Sequence, residues 1–158
     1  MKRTLQILVV LLLLVSAVKV WAEDDKEKKK AKKPVPVAVY LGNSTIDSGL
    51  VTKSLFDSLL KQGLTSRDSN GRVFDVKSFM FTFCERNLYE DSVGNLQIMT
   101  DYLSEITFDS KLIDYQLNAL LQRAKTGDTV IFEKIMLHAA DSTKAGAYGK
   151  PMRLIIAK

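Results

Sequence analysis

The sequence predicts a mostly β domain, an antiparallel sandwich with two short helices. Three observations predict it. Short apolar or alternating runs recur through residues 35–158, punctuated by Gly- and Asn-containing turns. Only two stretches, within 48–63 and 110–124, carry a helical period. The strands are not separated one by one by helices, which suits an antiparallel arrangement better than a parallel α/β sheet.

The elements follow in chain order. "VPVAVYL" (35–41) is mainly β-branched and aromatic, and Gly42-Asn43 ends it as a first strand. In "STIDSGLVTKSLFDSLLKQGL", Leu55, Phe56, Leu59 and Leu60 share one helical face, with Ser48 or Thr52 as cap. Gly63 stands where a left-handed helix end needs it. "SRDSNGR" is a polar turn with an Asn-Gly pair. "VFDVKSFMFTFCERNLYE" (73–90) reads as one long strand. Its alternation slips between Val76 and Phe79, which predicts a bulge. The turn at Gly94-Asn95 introduces one or two further strands. In the second helix, Ser110 is the expected cap, and Ile113, Leu117, Leu120, Leu121 and Ala124 form its apolar stripe. Gly127-Asp128 closes that segment. "TVIFEKIML" and "MRLIIAK" are the final strands, separated by the loop "HAADSTKAGAYGKP". The total is about seven strands.

Residues 1–22 read as a secretory signal peptide. Lys2 and Arg3 precede a short apolar run, Ile7 to Val18, and Val20 and Ala22 suit a cleavage site after Ala22. The run is shorter than a typical membrane span, and Lys19 interrupts its end. Residues 23–33, "EDDKEKKKAKK", read as a charged, disordered tether, leaving 34–158 as one small domain. The formal charge of +5 falls to +2 without Lys2, Arg3 and Lys19. The six lysines and four acids of the tether account for that +2, so the residues from Pro34 onward are neutral. Such a domain lacks the basic face that nucleic acid needs. Membrane contact is expected only through the lysine tether. Cys84 is the single cysteine, so no internal disulfide forms and stability comes from packing.

Catalysis needs convergent polar groups. His138 is the only histidine. Glu133 with His138 would be one acid–base pair, and Cys84 with His138 one nucleophile–base pair. Cys84, however, ends an aromatic strand, and His138 stands at the edge of a loop; Glu133 and Asp75 sit in alternating strand patterns that face solvent. Their spacing does not bring them together. Phosphate-binding glycine loops, nucleophile elbows and metal-ligand spacings are missing from the sequence. We therefore expect no enzyme, no cofactor and no metal site.

Several segments in order are similar to a known family. "PVAVYLG", "GLVTKSLFDSLLKQGLTS", "FDVKSFMFTF", "LQRAKTGDTVIFEKIML" and "KPMRLIIAK" resemble the C-terminal domain of the gliding-motility protein GldM and its relative PorM. The resemblance covers residues 34–158. It implies an immunoglobulin-like β-sandwich in the periplasm of a Bacteroidetes-type bacterium, with a role in protein–protein contact. In that family the domain ends a periplasmic shaft, which links an inner-membrane motor to the outer-membrane ring of the type IX secretion system. It implies no catalytic residues. Where the family has an inner-membrane helix pair and serial shaft domains, this chain has the signal peptide and tether, so it resembles a detached single-domain relative.

The expected function is docking on a protein partner of the cell envelope through sandwich edges or loops, with outer-membrane ring components as the partners the resemblance implies and self-association left open. The loop from His138 to Lys150, with Tyr148, is the candidate contact surface. An envelope enzyme or enzyme inhibitor is the second reading. A glycan- or surface-binding module is the third, weakened because Trp21, the only tryptophan, leaves with the signal.

Overall fold

The computed structural model describes residues 36–139 and 147–158. The expected signal peptide, cleavage site, Trp21 and tether, and the middle of the 138–150 loop, lie outside the described residues. The described chain is mostly β with two short helices. Its order is β1 (Ala38–Leu41), β2 (Ser48–Thr52), α1 (Lys53–Leu60), β3 (Leu64–Arg67), β4 (Val73–Glu90), β5 (Leu96–Thr107), α2 (Asp114–Arg123), β6 (Thr129–Ala139), β7 (Ala147–Tyr148) and β8 (Met152–Ala157).

The pairing differs in two ways from a purely antiparallel two-sheet sandwich. The strands join one curled sheet, ordered β1-β3-β4-β6-β8-β2, with β5 on β4 and β7 on β6. In addition, β2 runs parallel to β8. The curl originates in the two long strands. Between Val76 and Met80 the β4–β6 register shifts twice. One shift fits Lys134, the one non-glycine residue with positive φ (52°) among the described residues, which adds an unpaired residue to β6. The bulge explains how Phe132 and Ile135, an odd number of residues apart, both point inward and are fully buried.

The bend divides β4 and β6 between two surroundings. The start of β4 pairs with β3, while residues from Phe79 onward pair with β5. The start of β6 pairs with β8, and Met136–Leu137 pair with β7. At the β7 end the sheet closes on itself. The Val37 amide donates to Tyr148 O (2.9 Å), and the Lys150 amide donates to Val37 O (2.8 Å). This joins β1 to the end of β7 and completes a ring, β1-β3-β4-β6-β7. Gly149 sits at the closure because a Cβ there would lie 2.5 Å from Val39 Cγ2.

One apolar core serves both halves. Phe79, Phe81 and Phe83 of β4 meet Phe132 of β6, Leu154 and Ile156 of β8, and Phe56 of α1 within it. Phe79 and Phe132 pack edge to face with centroids 5.7 Å apart. The first helix buries Phe56, Leu59 and Leu60 as its period predicts, whereas Leu55 stays exposed. Ser48 is not its cap: Ser48–Thr52 is a strand, and Thr52, at the N-cap position, makes no side-chain cap bond. The apolar "GLV" beside β8 outcompetes a longer helix because pairing satisfies its backbone. Gly63 ends the turn at φ +86°, as expected. The second helix starts at Asp114, not after Ser110, and Gln116 Oε1 accepts the Ile113 amide (3.3 Å). Ile113 lies outside the helix and is exposed; Leu120 and Ala124 are buried, and Leu117 and Leu121 pack partly against the core. Lys53 ties the helices together, donating to Asp57 Oδ1 (2.6 Å) and to Leu121 O (3.1 Å).

Candidate interaction surface

The longest feature of the sheet is the β4–β5 hairpin. Its register is regular over twelve pairs, from Phe79↔Thr107 to Glu90↔Leu96. Asp91 builds its tip. One carboxylate oxygen accepts the amides of Val93 (2.9 Å) and Asn95 (2.8 Å), and the Asp91 amide donates to Asn95 O (2.9 Å). The Asn95 amide, then the Asn95 side chain and the Val93 amide, hold the Asp91 carboxyl below its ordinary range.

Opposed residues share a face, so the hairpin has an inner and an outer side. The inner side carries Phe81, Phe83, Leu103, Glu85, Asp101, Asn87 and Tyr89. Near the domain, its apolar members pack beneath α2. Farther out they give way to polar groups. Asp101 Oδ2 accepts from Asn87 Nδ2 and from Tyr89 OH, both at 2.8 Å. The Asn87 and Tyr89 bonds hold the Asp101 carboxyl down, and the same contact with Asp101 pushes the Tyr89 phenol up. Lys125 Nζ donates to Asn87 Oδ1 (2.8 Å), and Arg123 pairs with Glu85 while covering the Phe83 ring. Below this network, the fully buried carboxylate of Asp128 accepts the Arg86 amide (2.8 Å) and the Lys125 amide (2.9 Å). This anchors the hairpin base to the turn after α2.

The outer side differs. Leu88, Leu96, Ile98, Tyr102 and Ile106 all project there by register, and each is more than half exposed, Tyr102 at 72%. The row continues over the sheet: Tyr102 opposes Cys84, Cys84 opposes Thr129, Thr129 opposes Ile155, and Leu50 pairs with Ile155. The outer edge of β5 has no strand partner among the described residues. Backbone direction on that edge follows from the tip. Because Asp91 and Asn95 form a hydrogen-bonded pair, the odd residues of β5 bond to β4, and the even ones aim their amides and carbonyls outward. A second contact agrees: Gln116 Nε2 reaches Ile106 O (3.4 Å) from outside the ladder. The free edge therefore runs from Leu96 to Ser104. It contains no lysine, arginine or proline, the residues that commonly blunt such edges.

No protein-family model matches the chain, and no curated protein matches it.

The residues singled out as candidate chemistry lie apart. Glu133 opposes Met80, and His138 opposes Asp75, on either side of the bulge and roughly 15 Å apart along β6. Cys84 opposes Thr129, nine residues from His138 and roughly 30 Å away. Its thiol is buried, and burial pushes its pKa up, away from the reactive thiolate. Among the described residues no group of three or more His, Cys, Asp or Glu side chains is arranged to hold a metal ion. Tyr148, from the candidate loop, is half exposed on β7 opposite Met136. The hairpin face was not singled out from the sequence. Its signal was present, since Leu96, Ile98, Tyr102 and Ile106 alternate with polar or mixed positions. Alternation marks an apolar face, however, and carries no information on whether the domain covers it.

Proposed function

We propose that this protein is an exported, non-enzymatic interaction module of the cell envelope that docks a protein partner on the β4–β5 hairpin. The observation that supports it is the coincidence, on one strand, of an unpaired edge and an exposed apolar face. A long unpaired edge without lysine or proline is hazardous unless something pairs with it, and recruitment of a partner strand uses backbone bonds for affinity and alternate side chains for choice. The inner polar network favours a hairpin held in a defined direction, which lowers the ordering cost of binding.

Export is part of the same reading and rests on residues 1–22. Kinship with the GldM and PorM C-terminal domain is a proposal resting on the segments quoted above. It would make ring components of the type IX secretion system the first partners to try. The separation of Glu133, Cys84 and His138 favours the interaction reading over an envelope enzyme.

Affinity capture from envelope extract at two salt concentrations tests the reading. A partner held by an apolar, backbone-paired surface stays bound at high salt, and Tyr102→Lys on the hairpin releases it. Release of the wild type by salt alone would place binding on the lysine tether instead, because screened charges lose their attraction over about 10 Å at 0.1 M.

A further inference from the structure

We propose that the occupant of the β5 edge is a basic, amphipathic strand of a partner protein, added antiparallel, with lysine or arginine at its inner-facing positions and apolar residues at its outer-facing ones. This rests on the docking reading above and names the chemistry of its partner. Charge selects that chemistry, and the backbone fixes where the charges meet.

The residues from Pro34 onward are neutral, yet the hairpin from Phe79 to Thr107 carries five carboxylates, Glu85, Glu90, Asp91, Asp101 and Glu105, against one arginine, a net charge of −4. No residue of β5 is basic. Asp101 and Glu105 share its inner side, and Asp101 lies directly opposite Glu85, a like-charged cross-strand pair that is destabilising. The nearby cations are committed elsewhere: Arg123 and Lys125 both pair with Glu85, and Lys125 also donates to Asn87 Oδ1. Asp101 uses only Oδ2, for Asn87 and Tyr89, and Glu105 only Oε2, which accepts from Gln116 Nε2 (2.9 Å). Among the described residues, Asp101 Oδ1 and Glu105 Oε1 accept no hydrogen bond, and neither carboxylate forms an ion pair. A strand added to this edge draws both groups away from water, which is costly without a counter-charge. A neutral or acidic strand leaves that cost unmet, and so does a copy of this edge. The outward backbone groups make Ile98, Thr100 and Tyr102 the hydrogen-bonded positions of the new pairing. Asp101 and Leu103 then take the close, non-hydrogen-bonded positions, with Cα atoms about 4.5 Å from their counterparts. A lysine or arginine opposite Asp101 meets its free oxygen directly, and one opposite Leu103 lies diagonal to both carboxylates, within reach of a long side chain. On the other face, apolar residues opposite Ile98 and Tyr102 extend the exposed row.

The test is titration of the purified full chain with labelled synthetic peptides that span the free edge, followed by fluorescence anisotropy. One peptide alternates valine with lysine, a second valine with glutamine, a third valine with glutamate and a fourth serine with lysine. The valine–lysine peptide is expected to bind at least about tenfold more tightly than each of the others. With Asp101→Asn and Glu105→Gln combined, which keep one acceptor oxygen at each position, the valine–lysine and valine–glutamine peptides are expected to bind alike. Thr100→Pro removes an outward amide that the β4 ladder does not use, and it is expected to abolish binding of every peptide with circular dichroism unchanged. Equal binding of the valine–lysine and valine–glutamine peptides by the wild type would overturn the basic partner. Equal binding of the serine–lysine peptide would reduce the edge to an acidic patch and overturn the amphipathic strand. Failure of the valine–lysine peptide to bind, or binding that survives Thr100→Pro, would overturn the proposal as well. If the wild type showed no preference for lysine but still captured an envelope protein that Thr100→Pro released, the docking reading would stand while the basic strand fell.

Discussion

Removal of the Asp128 carboxylate is expected to cost about 2–6 kcal/mol. The side chain is fully buried and accepts two backbone amides, Arg86 at the hairpin base and Lys125 after α2. Its own backbone is also engaged, donating to Lys125 O (3.1 Å) and accepting the Ile156 amide (2.9 Å). Asp128→Ala keeps those backbone bonds but leaves two donors without partners. Each buried, unmade hydrogen bond costs about 1–3 kcal/mol, which gives the range stated. Asp128→Asn keeps one acceptor oxygen but turns an NH2 group toward the second amide, so about half the loss is expected. Against a total stability of about 5–15 kcal/mol for a domain of this kind, the alanine variant loses a large share. Urea unfolding followed by circular dichroism measures it, at one protein concentration and with m unchanged. An alanine variant within about 0.5 kcal/mol of wild type would refute the reasoning and show that water or a shifted loop satisfies both amides.

Two further outcomes follow from the same geometry. Gly63→Ala places a side chain at φ +86°, with its Cβ 2.6 Å from Ser110 O; left-handed strain alone costs about 1–2 kcal/mol, so a larger loss is expected in the same unfolding assay. Asp91 and Asp101 have depressed folded pKa values, with the Asn95 and Asn87 bonds as the leading causes. Their contribution is present above the ordinary carboxylate pKa of about 4 and is lost as pH falls through the lower folded values. Protection of the hairpin-tip amides, relative to the unstructured exchange rate at the same pH, should fall only below about pH 4, and Asp91→Ala should remove that acid dependence at residues 93–95.

Much of the fold was legible because local chemistry and tertiary structure agree there. The long strand, the slip between Val76 and Phe79 and the left-handed Gly63 all appear where apolar period and turn residues point. The misplaced features depend on distant partners. Ser48–Thr52 becomes a strand because β8 lies beside it, and that strand is sixth in the sheet order though second in the chain. Ile113 continues the helical period but sits one residue before the helix and faces solvent. The ring closure depends on Gly149, whose need for a missing side chain comes from Val39, more than a hundred residues earlier. The hairpin face illustrates the same limit for function. Its alternation resembles that of a strand packed on a core, and only the position of β5 outside the closed layers leaves it open.

Amide hydrogen exchange along β5, followed from dilute to concentrated protein and with any captured partner, tests the central claim most directly. The odd residues Gln97, Met99, Asp101 and Leu103 should be protected throughout, because they bond to β4. Ile98, Thr100 and Tyr102 should exchange freely when dilute and become protected when the edge is occupied. Even-numbered amides that stay unprotected in every bound state, or are already protected in the dilute monomer, would contradict docking on this edge.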